Sequence, residues 1–177
     1  MNKLEHIVDD YIRNHQHDAE RELHWFAIQP NLRKTIEMAT LAKSPSGKRL
    51  SHQYRIPSRV LEESCQCLLG KVAELEAASS FEELHDVVHA TICDISGIGK
   101  LTVYDTALRI GAFRGLAPRN VFLHAGTRVG ARKLGLDTSQ EFLPFSIFPT
   151  ELRVLKPREI EDVLCIYKHR FNAAWHE

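Results

Sequence analysis

Apolar side chains recur at three- and four-residue spacing along most of the chain, the repeat of amphipathic helices. Leu4, Ile7, Val8, Tyr11 and Ile12, then Ala19, Leu23, Phe26 and Ala27, mark one long helix or two, ending before Pro30. Asn31 is placed to cap a second helix through Ile36 and Leu41 to about Lys43, and S-P-S-G-K at 44–48 reads as a loop. Ser58 is expected to cap a third, with Val60, Leu61, Leu68, Leu69, Val72 and Leu75 as its buried stripe. S-F-E-E at 80–83 fits a capping box and starts a helix that turns Leu84, Val87, Val88 and Ile92 inward.

A glycine-containing turn follows. Beyond it, Thr102 is expected to cap a helix through Val103, Ala107, Leu108 and Ile110, stopped by Gly111 or Gly115. The stretch 116–123 reads as extended or irregular, and 126–134 as a short helix closed by Gly135. Pro144 and Pro149 punctuate an apolar linker, and Pro157 opens a last helix carrying Ile160, Val163, Leu164, Ile166 and Tyr167. No segment alternates convincingly as a strand does, and there is no internal repeat. The predicted fold is all-α, a single compact domain over 1–177. Its parts are an N-terminal helical part (1–78), a central part (81–135) and a C-terminal helical part (144–177).

Composition agrees with such a core: of 177 residues, 44% are hydrophobic and 26% charged. No apolar run reaches the roughly 18 residues of a membrane span, and the first residues lack a signal-peptide core. Cys65, Cys67, Cys93 and Cys165 have no zinc-type spacing and read as reduced thiols, so a cytoplasmic protein without membrane partners is expected. Net charge is zero, which argues against a generally basic nucleic-acid coat. It is uneven, however: Lys100, Arg109, Arg114, Arg119, Arg128, Arg132 and Lys133 face Asp105 alone within 99–133, a local +6.

That basic stretch begins at the turn, I-S-G-I-G-K-L-T-V over 95–103. Glycine permits positive φ and a close approach of backbone to a ligand. Amides clustered at a helix start bind anions, phosphate above all, and Lys100 adds a charge. The alternative is a tight turn whose glycines only permit packing. The stretch resembles the hairpin of the helix-hairpin-helix family, written L-P-G-I-G-x-x-T-A, with Ser96 for the proline and Val103 for the last alanine. The resemblance implies that Ser96, Gly97, Ile98, Gly99, Lys100 and Thr102 hold a DNA phosphate, with a monovalent cation on the hairpin carbonyls and no other cofactor.

The likeness extends to the helix-hairpin-helix DNA glycosylases of the endonuclease III type. Pro118, V-F-L-H at 121–124 and R-V-G-A-R-K-L-G at 128–135 resemble the segments that follow the hairpin there, which brings Arg128 and Arg132 into the implied binding set. The chemistry does not carry over. Phe122 stands where that family has its catalytic aspartate, and Leu101 where its bifunctional members have a lysine nucleophile.

A second constellation is Asp105 with His124, an acid–base pair if one cleft holds both. Against it stands an ion pair of Asp105 with Arg109 at i+4, and a histidine satisfied by backbone. His85, His89 and Cys93 share one helix face; packing explains them better than metal chelation, and no metal is expected. His15, His17 and His24 read as solvated. Three readings follow: a DNA-binding protein that grips phosphate without base-excision chemistry, a divergent glycosylase-like or nucleotide-processing enzyme using Asp105 and His124, or an interaction module whose hairpin only packs.

Overall fold

The first apolar repeat folds as it reads, into helix from Lys3 to Ala27, interrupted by one wider turn. In the computed structural model, which describes residues 2–171, α1 (Lys3–Tyr11) passes through a π-helical turn at Ile12–Gln16 into α2 (His17–Ala27). Asn2 caps it, its side chain accepting from the Glu5 amide at 3.0 Å while the Glu5 carboxylate accepts from the Asn2 amide at 2.6 Å.

The chain divides into two units: an inserted unit, Ala19–Ala117, and a terminal unit of Met1–Asp18 with Pro118–Glu177. The inserted unit contains α3 (Leu32–Thr40), α4 (Ser58–Leu69), α5 (Val72–Ala77), α6 (Phe81–Ile92) and α7 (Lys100–Arg114). Asn31 caps α3 through the Lys34 amide at 2.9 Å, and Ser80 caps α6 through the Glu83 amide at 3.1 Å. Glu83 turns its carboxylate to the Ser79 amide and hydroxyl, both at 2.8 Å. Ile36, Leu61, Leu68, Leu75, Leu84, Val88, Ile92, Ala107 and Ile110 are buried. Their loss from water is the main driving term for the unit.

α7 packs against both α3 and α6, and residues 102–107 and 109–111 are buried around its whole girth. Only a central helix is covered this way. Gly111 therefore lies inside the helix rather than ending it: a Cβ there would come within 2.7 Å of the Leu116 carbonyl. Gly115, at φ +68, is the C-cap. Two further expectations shift. Pro57 takes the N-cap of α4, so Ser58 is the first helical residue, and Gly70 ends α4 before Leu75 is reached. Gly99 rather than Thr102 precedes α7, and Thr102 is a buried residue of its first turn.

In the terminal unit, β1 (Asn120–Phe122) pairs antiparallel with β2 (Phe142–Pro144), Val121 opposite Leu143. The strands lie where the sequence suggested extended or irregular chain and an apolar linker. They are three residues each, too short to display an alternating pattern. α8 (Ala125–Lys133) and α9 (Pro157–Ile166) complete the unit. Leu4, Ile7, Val8, Tyr11, Val121, Leu123, Phe148, Leu152, Ile160, Val163 and Leu164 form its core. The buried Tyr11 phenol donates to Asp162 at 2.8 Å, and Tyr167 donates to Asp10 at 2.7 Å. Burial and the neighbouring carboxylates push both phenols well above their ordinary range.

The described residues are thus predominantly helical, with one small sheet. No helix among them is long and apolar enough to cross a membrane.

Candidate nucleic-acid interface

The turn between α6 and α7 is built by its own backbone. The Ile95 amide donates to Ile92, and the Ile98 amide to Ile95 at 3.0 Å, which closes a four-residue turn with Gly97 third. Gly97 has φ +99, the conformation such a turn reserves for glycine. Ser96, Gly97, Gly99 and Lys100 are exposed and Ile98 is half-buried. On the inner side, a Cβ on Gly97 would touch the Val60 side chain at 3.6 Å, so the turn rests on the first turn of α4.

Gly99 is extended (φ −105, ψ 170), leaves open space where a Cβ would stand, and as the N-cap of α7 makes no side-chain cap. The amides of Lys100, Leu101 and Thr102 belong to the first helical turn, where no carbonyl of the same helix reaches them. They carry the positive end of α7, the longest uninterrupted α-helix among the described residues. The Thr102 side chain is buried.

Asp105 lies one turn further along α7 and is buried. It accepts from His52 Nδ1 at 2.9 Å and Gln53 Nε2 at 2.7 Å, with Arg109 Nη2 at 3.8 Å. Burial pushes its carboxyl up, but the His52 hydrogen bond, the Arg109 charge, the His52 charge and Gln53 outweigh that and hold it below the usual carboxylate range. The expected surface ion pair with Arg109 is a buried one: Arg109 is 3% exposed, bonds Glu22 at 3.2 Å and lies over the Phe26 ring at 5.6 Å.

His124 belongs to the other unit. It is buried, its Nε2 hydrogen-bonded to the buried carboxylate of Glu161 on α9, and its amide donates to the Thr127 hydroxyl at 2.7 Å. Asp105 and His124 thus sit in separate units, each committed to partners of its own. Arg128 donates to the Thr138 carbonyl and braces the chain after α8, while Arg132 is exposed. His85 is buried in ring contact with Phe81 and His89, each at 6.2 Å between centroids. The +6 stretch is therefore not a single surface: Arg109 is inside, and Arg114 donates to the Glu76 carbonyl at 2.6 Å.

The structure brings forward a group that the helical repeat passes over. Arg49, Ser51, His52, Tyr54 and Arg55 line an open cleft of about 670 Å³ in the inserted unit. His52 and Gln53, bonded to Asp105, fasten this loop to α7. Arg49 donates to the Ile56 carbonyl at 2.6 Å and the Ser58 hydroxyl at 2.8 Å. The sequence does carry a signal: between Glu37 and Glu62 there is no acid, while Lys43, Lys48, Arg49, Arg55 and Arg59 fall within that span.

Comparison with family models, with curated proteins and with solved structures finds no match to this chain.

Proposed function

We propose that the inserted unit binds nucleic acid, holding a backbone phosphate at the turn of residues 96–100 through the amides that open α7. The observation that carries this reading is the exposed, uncapped helix start behind Gly99. Its space for a Cβ is open, so a phosphate oxygen can approach the amides. Support also comes from the hairpin resemblance, from Lys100 and from the acid-free loop beside α7. The same reading takes the helices around the hairpin as an arrangement similar to that of the helix-hairpin-helix DNA glycosylases. It is confined to binding, because Phe122 and Leu101 stand at the positions of that family's catalytic side chains.

Gly99 supplies the test. Its extended N-cap geometry is the one aspartate prefers, so Gly99→Asp satisfies the first-turn amides with its own carboxylate and does not lower stability. The same carboxylate occupies and repels at the phosphate position. The expected outcome in fluorescence anisotropy is wild-type affinity for a short DNA that weakens steeply with salt. Gly99→Asp loses binding with an unchanged melting temperature, and Gly99→Ala lies between. Undiminished binding by Gly99→Asp would sink the proposal.

A further inference from the structure

The cleft at 49–55 combines three properties. Its charge is one-signed: two arginines and a histidine line it, within the span from Met38 to Leu61 that contains no acid. A large ring stands in the open, Tyr54 being 74% exposed, the most of any large hydrophobic side chain among the described residues. The ring also stands on a braced support rather than a loose loop.

The bracing is explicit. Ser51–Gln53 form a short 3-10 turn closed by the Tyr54 amide on Ser51 at 3.3 Å, and the Ile56 amide returns to Gln53 at 3.1 Å. Arg49 ties the far side to Ile56, and the residues before Tyr54 are bonded to buried Asp105. Little ordering entropy is left to lose when a flat ligand covers the ring. Arg55 has no ion-pair partner among the described residues, so its charge is not neutralised from within.

An exposed tyrosine flanked by cations is how proteins accept an unpaired base: the ring stacks on it, and the cations follow the phosphates on either side. Bases inside a duplex are covered above and below by their neighbours and cannot offer a face to Tyr54. We infer that the cleft is a stacking site for an unpaired nucleobase, so that the protein prefers a single strand, with Tyr54 as platform and Arg49 and Arg55 as phosphate contacts. This inference rests on the nucleic-acid reading and adds strand preference to it.

The test uses the full chain and three fluorescein-labelled probes in anisotropy titrations: a 12-nucleotide oligo-dT, an abasic strand of the same length, and a 12-base-pair duplex. Wild type is expected to bind oligo-dT more tightly than either of the others. Tyr54→Ala should weaken oligo-dT binding on the order of tenfold while leaving the abasic strand and the duplex unaffected, and Tyr54→Phe should restore it. Arg55→Ala should weaken both single strands equally. Equal affinity of wild type for oligo-dT and the abasic strand, or a Tyr54→Ala variant with unchanged oligo-dT affinity, overturns the inference. Displacement of oligo-dT by poly-glutamate as readily as by unlabelled strand overturns it in favour of an acidic protein partner. Gly99→Asp separates the two proposals. If it abolishes binding to every probe while Tyr54→Ala is silent, the hairpin reading stands and the stacking inference falls. If it is silent while Tyr54→Ala discriminates, the stacking site stands and the hairpin reading falls. Failure of wild type to bind any probe overturns both.

Discussion

Asp105 fastens the loop of the proposed cleft to the helix whose first turn is the proposed phosphate site. Three donors converge on it, two hydrogen-bonding and one charged. Asp105→Asn keeps the shape, removes the charge opposite buried Arg109, and should cost about 3 kcal/mol of stability at neutral pH. The pH dependence has a definite sign. The folded carboxyl lies below its unfolded value of about 3.9, so the anion's contribution is complete above that value. It fades as pH falls through the lower folded one. Urea midpoints for wild type and variant should therefore converge on acidification and stay apart from pH 5 upward. A gap independent of pH would mean that the lost contact is not ionic.

Among the elements, α8 and α9 pack closely at Gly130. A Cβ on Gly130 would overlap the Leu164 carbonyl oxygen and come within 3.0 Å of its Cα, which are backbone atoms that cannot swing aside. Gly130→Ala, a change that would favour an isolated helix, should instead destabilise by about 2 kcal/mol or more. The check is a fall in melting temperature by circular dichroism. The helices themselves were legible because their signals are local: Asn31 and Ser80 make the caps their side chains foretell, and apolar repeats of three and four mark the buried faces. The short β1–β2 pair was not, since nineteen residues separate strands of three residues each and neither pattern reaches significance alone. The turn at 96–100 was readable for the same local reason. The cleft was hidden because it depends on Asp105 reaching back some fifty positions to His52 and Gln53, a contact that no spacing announces.

At the scale of the whole molecule, neutrality conceals a redistribution. The basic stretch in the middle of the sequence is divided between the two units and partly buried, while an acid-free loop outside it lines the cleft. Every residue of the two proposed sites, from Arg49 to Thr102, belongs to the inserted unit. Tyr11→Phe, which deletes one hydroxyl donor to Asp162 in the terminal unit, should cost about 1 kcal/mol. It should speed amide exchange in α8 and α9 and leave oligonucleotide affinity unchanged. Faster exchange in α7 of similar size would show that the units unfold as one.

The terminal unit draws its core from both ends of the described chain, α1 at one and β1 to α9 at the other. On the ribosome, that arrangement imposes an order. All of Ala19–Ala117 emerges before the residues that will cover Leu4, Ile7 and Val8, so the inserted unit has its full complement of partners first. The apolar face of α1 waits through that interval with nothing of its own to pack against. Whatever shields nascent apolar surface in the cell would find its target in α1.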